Sequence, residues 1–237
     1  MNSRLYELRD YLFYAFKDHK ANCDPARYEE RIVMFIDVLG FKSLIDSTLD
    51  EDIENQLNIS KLVGCFNKAL EDIFDVSHRN YVQFSQFSDS FVISHVVFDK
   101  EDVDSLFQAY TMVFLIAKLI IRSFLQQEIL VRGGICQGKV FHREGYLLFG
   151  PAMNKAYLLE STRAKYPRII VSKEIIKNIT AKLGPIPNDT LNEIGVPLSL
   201  DDDGEVFLDY MNEFPRTLLN NFPRNSPSLV EKYDWLS

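Results

Sequence analysis

The run Arg31-Ile-Val-Met-Phe-Ile-Asp37 most constrains what this chain can fold into. Its unbroken apolar stretch, rich in β-formers, reads as a strand buried on both faces and therefore central in a sheet. The strand ends in a carboxylate, and Val38-Leu-Gly40-Phe41 then turns the chain. A buried strand that ends in an acid needs a cation to meet it. A second acid has the same kind of frame: Asp89 sits between two predicted strands in Tyr81-Val-Gln-Phe-Ser-Gln-Phe-Ser-Asp-Ser-Phe-Val-Ile93. Two carboxylates so framed suggest one divalent-metal site acting on a phosphorylated substrate.

The remaining elements follow from periodicity. Residues 4–18 have helical spacing and form a leader, and helical segments fill about 50–76. Strands at 80–87 and 90–98 form a hairpin with Ser88-Asp89 at its tip. From Val103 to about Gln127 the apolar residues keep an unbroken i, i+3, i+4, i+7 pattern, which predicts a core helix. A strand at 129–137 precedes a possible second hairpin through Lys139–Leu148, and Gly150-Pro151 opens another helix. A short strand Arg168–Ser172 and a helix around 173–181 precede a loop-rich tail. The order is a ferredoxin-like β-α-β-β-α-β palm core of the α+β class, with extra strands and an N-terminal helix. Three parts are expected: a helical leader at 1–28, a core at 29–182, and a strand and loop extension at 183–237 packed on that core. This layout puts Asp37 and Asp89 at neighbouring strand ends.

The 237 residues carry a formal charge of −8, which argues against a general nucleic-acid surface. Cys23, Cys65 and Cys136 have no CxxC partner and read as buried thiols of a reducing, cytoplasmic environment. Arg4, Glu7, Arg9 and Asp10 exclude a signal peptide. The stretch Met112–Ile121, interrupted by Lys118, is too short to span a bilayer, so no membrane association is expected.

Four ordered motifs carry a family resemblance. Phe35-Ile-Asp37-Val-Leu-Gly40-Phe41 resembles the first metal motif of class III nucleotidyl cyclases, and Phe87-Ser-Asp89-Ser-Phe91 resembles their second. Val131-Arg-Gly-Gly-Ile135-Cys-Gln-Gly138 is similar to the family's Arg-x-Gly-Ile strand, and Phe149-Gly150-Pro-Ala-Met-Asn154-Lys-Ala156 to its Gly-x-x-x-Asn helix. The resemblance implies the class III cyclase fold and an intramolecular reaction in which the ribose 3′-hydroxyl attacks the α-phosphorus and pyrophosphate leaves. It further implies that Asp37 and Asp89 hold two Mg²⁺ or Mn²⁺ ions. Val38 is excluded as a ligand, but its backbone, with that of Leu39, Gly40 and Phe41, would offer N–H groups to the phosphates. Asn154 would orient the ribose, and Arg132 is a candidate catalytic cation that reads equally as the structural partner of a carboxylate.

The departures narrow the substrate. The lysine and aspartate with which adenylyl cyclases read adenine are replaced by Ser85 and Leu147. The transition-state arginine is replaced by Leu158, and Asp201-Asp-Asp-Gly-Glu205 offers only acids where a phosphate-binding lysine is expected. Arg132, Lys139 or Arg143 could serve in place of that arginine if the fold brings them in. Gly150-Pro-Ala…Tyr166-Pro-Arg-Ile169 and Glu231-Lys-Tyr-Asp-Trp-Leu236 look like the stand-alone cyclases of Pycsar anti-phage systems. That likeness implies a homodimer acting on UTP or CTP, with metal aspartates and Asn154 from opposite protomers, and a separate effector reading the product. Ser85 would then contact the base or simply face solvent as a strand hydroxyl. Glu160 reads as a helix-packing group, and His95 and His142 as histidines without a ligand role. An inactive nucleotide-binding module and a purine cyclase with rewired base contacts remain open.

Overall fold

The computed structural model describes residues 26–46, 53–76, 81–143, 147–185 and 198–210. The leader expected at 4–18 and the segment Glu231–Leu236 lie outside the described residues. In chain order the elements are β1 (Glu29–Val38), α1 (Phe41–Asp46), α2 (Ile53–Val76), β2 (Val82–Phe87), β3 (Ser90–Val96) and α3 (Val103–Leu125). They continue with β4 (Val131–Arg143), β5 (Leu147–Phe149), α4 (Pro151–Leu158), a π-turn (Leu159–Arg163), β6 (Ile169–Val171), α5 (Lys173–Leu183), β7 (Leu198–Leu200) and β8 (Val206–Leu208).

β1, with its apolar run Ile32–Ile36, is central, as that run requires. The sheet runs β2-β3-β1-β4-β6-β8-β7, with β5 paired to the far end of β4. The β2-β3-β1-β4 portion is the ferredoxin-like order, and β7 and β8 extend the same sheet through β6. β4 is longer than the sequence indicated. The strand expected to end at 137 runs on to Arg143, and the hairpin expected through Lys139–Leu148 forms where its last residues pair with β5.

The two faces of the sheet differ. One packs Ile32, Met34, Ile36, Phe91, Ile93 and Ile135 against α2, α3 and α5, including the ring cluster Phe66, Phe91 and Phe124. Asp102 caps α3, accepting from the backbone N–H groups of Asp104 and Ser105. By length and composition α3 could cross a membrane, but Ala109, Tyr110, Val113, Phe114, Ala117, Ile120 and Phe124 are buried in this core. The other face carries Val33, Phe35, Val92, Cys136 and Val140, buried under the small side chains Ala152 and Ala156 of α4 with Leu148, Met153 and Leu159 packed against them.

That thin cover depends on glycine at 134. A Cβ there would lie 2.5 Å from the Ala156 carbonyl oxygen and 2.5 Å from the Leu159 side chain. Without one, α4 and the π-turn settle directly on β4.

Candidate active site

The strand register assembles the site. Asp37 pairs with Ser90 of β3 on one side and with Arg132 of β4 on the other, so all three share the open face of the sheet. The Val38 N–H donates to the Asp89 carbonyl at 3.2 Å, which brings the hairpin tip beside the end of β1. The two framed acids are therefore neighbours. Ser90 Oγ donates to Asp37 Oδ1 at 3.0 Å, and Arg132 Nη2 stands 3.6 Å from Asp37 Oδ2. Gly40 turns the chain at φ 76°, a conformation that a side chain resists, and the six-residue α1 follows.

Arg132 has a second partner. Its Nε lies 2.6 Å from Glu160 Oε1 on the π-turn, a close charge contact whose angles fall short of a hydrogen bond. Glu160 is 2% exposed and reaches β4 because the π-turn and Gly134 let the helix approach so closely. π-Turns of this kind concentrate at functional positions.

One guanidinium thus serves two carboxylates. Burial raises the Asp37 carboxyl above its ordinary range, and Asp89 adds to the rise; the Ser90 hydrogen bond and Arg132 only partly oppose it. Burial pushes Glu160 up to about 7, with Arg132 opposing and Asp37 and Asp89 reinforcing. Negative charge outruns the cation present, which is the chemistry of a site that accepts a further cation. The residues fit a divalent ion held by Asp37 and Asp89. Among the described residues no group of three or more His, Cys, Asp or Glu converges, so such an ion would complete its shell from substrate oxygens and water.

The backbone corrects one expectation. The N–H groups of Val38 and Leu39 are already bonded, to the carbonyls of Asp89 and Leu130, so they cannot cradle phosphates. Gly40 and Phe41 remain, with Phe41 at the start of α1 and its ring packed on the core. Asn154 is exposed in the first turn of α4. Ala152, Ala156 and Glu160 point at the sheet, so Asn154 lies on the outer side of the helix with Leu158, turned from the aspartates of its own chain. Leu147 is 45% and Leu158 55% exposed.

Ser85 of β2 shares the aspartates' face, since it pairs with Val92 and Val92 with Phe35. Its Oγ lies 2.9 Å from His142 Nε2. His142 is buried and bridges onward, with Nδ1 2.8 Å from Ser94 Oγ. Sequence reasoning gave His142 no ligand role and missed Ser94, which lies one side-chain row from Ser85 on the neighbouring strand. The acids of 201–205 have local partners: Arg168, wholly buried, is paired with Asp201 and Asp203, and Arg163 with Glu205. Arg143 lies over the Phe141 ring, and Lys139 is exposed.

No family model matches the chain, and no curated protein matches it. Solved structures do. The monomeric guanylyl cyclase domain of the RhoGC fusion protein from the aquatic fungus Blastocladiella emersonii is 19% identical with a TM-score of 0.50, the match covering 77% of this chain and 95% of that one. A dimeric guanylyl cyclase domain of the same fusion protein is 18% identical with a TM-score of 0.50, covering 77% and 94%. A class III adenylyl cyclase-like ATP-binding protein from Pseudomonas aeruginosa is 15% identical with a TM-score of 0.50, over 75% of this chain and 38% of that protein. The mixed α+β sheet described above is the fold of class III nucleotidyl cyclase catalytic domains.

Proposed function

We propose that the chain is a nucleotidyl cyclase that converts a pyrimidine nucleoside triphosphate, UTP or CTP, to its 3′,5′-cyclic monophosphate and pyrophosphate. The observation that carries this reading is the pairing of Asp37 and Asp89 at adjacent strand ends, with more negative charge than Arg132 balances. In the reaction the 3′-oxygen forms a bond to the α-phosphorus, the α–β phosphoanhydride bond breaks, and the 3′-hydroxyl proton is lost. Divalent Mg²⁺ or Mn²⁺ bound there would acidify that hydroxyl and neutralise the phosphates. Asp37 and Asp89 hold the charge in place, and Ser90 fixes the Asp37 carboxylate. Arg132, itself oriented by Glu160, would meet the charge that develops on the phosphate. The N–H groups of Gly40 and Phe41 are the backbone donors left for the phosphates.

The outward-facing Asn154 favours a homodimer in which one protomer supplies the aspartates and its partner the ribose contact. The pyrimidine reading rests on Ser85 and Leu147 in place of the adenine-reading pair. The same reading makes the product a cytoplasmic anti-phage messenger, read by a separate effector. Incubation of the protein and of Asp37→Ala with Mn²⁺ and each of the four triphosphates tests it. A cyclic pyrimidine product lost in the variant is expected; product from ATP or GTP alone overturns the pyrimidine assignment.

Two of the similar structures are guanylyl cyclase domains, which favours a purine cyclase as the second reading. The third is called an ATP-binding protein, which favours binding without turnover. The same assay separates all three.

A further inference from the structure

Arg132 is shared unequally between two acids. Its Nε lies 2.6 Å from Glu160 Oε1, while its Nη2 stands 3.6 Å from Asp37 Oδ2, beyond hydrogen-bond reach. The acids also differ in how firmly they are set. Glu160 is buried within the π-turn, whereas Asp37 is half-buried near the end of β1. Asp37 Oδ1 accepts from Ser90, so Oδ2, with only the looser Arg132 contact among the described residues, is the oxygen more open to an incoming cation.

The closer contact is itself incomplete. Arg132 Nε and Glu160 Oε1 are both buried, yet neither makes a hydrogen bond of good angle. A buried donor and acceptor left in that state cost free energy, and a small turn of the guanidinium onto Glu160 recovers it. What the turn gives up is the 3.6 Å contact to Asp37, the weaker of the two. The Arg132 side chain is 28% exposed, so packing does not lock it against such a turn. Arg132 has one acid to leave and one to settle on.

A divalent ion held by Asp37 and Asp89 would take over the charge that Arg132 now meets at Oδ2. A guanidinium and a divalent ion on one carboxylate repel each other, and strongly where the site is partly shielded from water. We propose that Arg132 is the resident counter-ion of Asp37, displaced when a divalent ion binds, and that Glu160 is the positioning residue that receives it and keeps it in the site. This rests on the metal reading of Asp37 and Asp89. It adds that the affinity of the site for an ion is set by two residues that would not touch the ion. Arg132 lowers that affinity by competing for Asp37. Glu160 raises it by drawing Arg132 away.

Binding of Mn²⁺ without nucleotide, read from the electron paramagnetic resonance signal of the free ion, tests this apart from turnover. Arg132→Met should bind Mn²⁺ about tenfold or more tightly than the wild type. Glu160→Gln should bind it several-fold more weakly, because Arg132 then keeps to Asp37. In the double variant the effect of Glu160→Gln should vanish, since Glu160 acts through Arg132. A ¹H–¹⁵N spectrum of the wild type checks the displacement without any variant. Its Arg132 Nε–H signal should move downfield on adding Mg²⁺, as the bond to Glu160 improves. Asp37-dependent binding that Arg132→Met leaves unchanged or weakens overturns the inference. So does a Glu160→Gln effect of equal size in both backgrounds, or an Nε–H signal that Mg²⁺ does not move. Binding that survives Asp37→Ala, or that is absent from every form of the protein, overturns the metal reading and this inference with it. The expected shifts in affinity without cyclic product from any triphosphate support the exchange and overturn the cyclase reading.

Discussion

Glu160 Oε1 and Arg132 Nε stand 2.6 Å apart, joining the π-turn to the strand that faces Asp37. The guanidinium is thereby held between the buried Glu160 and Asp37, and its orientation depends on both. This arrangement can be probed from each side.

Stability should fall as pH rises through the range set by Glu160. Its folded value, about 7, lies above the ordinary 4.5, so between these values the unfolded chain gives up a proton that the folded chain keeps. The stabilisation is complete below 4.5 and lost as pH passes 7. Urea midpoints measured at pH 5 and pH 7.5 should therefore differ, and Glu160→Gln should shrink the difference.

Asp37→Asn should separate activity from stability. It preserves an acceptor for Ser90 but removes a charge that its surroundings only partly balance. Cyclase turnover with Mn²⁺ should drop on the order of 100-fold or more, while the melting temperature should hold or rise. A fall in melting temperature would mean that Arg132 balances Asp37 fully.

Gly134→Ala should loosen the site without touching an ionisable group. The new methyl meets the Ala156 carbonyl at 2.5 Å, so α4 must move off the sheet. A loss of about 1–3 kcal/mol is expected, with reduced turnover because Glu160 leaves Arg132. Denaturant melts and kinetics on the same preparation check both.

The tail acids should matter more than the arginine they hold. Asp201→Asn with Asp203→Asn removes two carboxylates paired with the wholly buried Arg168 and should cost about 3 kcal/mol or more. Arg168→Met leaves acids that reach water, with Asp203 at 45% exposure, and should cost less. Equal losses in denaturant midpoints would contradict this ranking.

The sequence made the sheet order and the neighbouring aspartates legible because both follow from local pattern. The apolar run of β1 forces a central strand, and Ser88-Asp89 between two strand patterns places the acid at a hairpin tip. What it hid were pairings set by geometry across the sheet. Glu160 finds Arg132 only through a π-turn that no periodicity announces. His142 reaches Ser85 and Ser94 from the far end of β4, and the acids of 201–205 meet Arg163 and Arg168 across a long separation. The backbone donors of Val38 and Leu39 were misassigned for the same reason, because their partners Asp89 and Leu130 are distant in sequence.

The clasp between Arg168 and Asp201–Asp203 also bears on the birth of the molecule. Synthesis runs from the N-terminus, so Asp37, Asp89, Asn154 and the π-turn leave the ribosome before residues 201–205 exist. Until those acids emerge, Arg168 lacks its pairs with Asp201 and Asp203, and β6 lacks its outer neighbour β8. A nascent chain stalled near residue 195 would hold every catalytic candidate yet lack the pairs that anchor Arg163 and Arg168 beside the π-turn. Competence would thus arrive late in translation, with the last strands of the sheet.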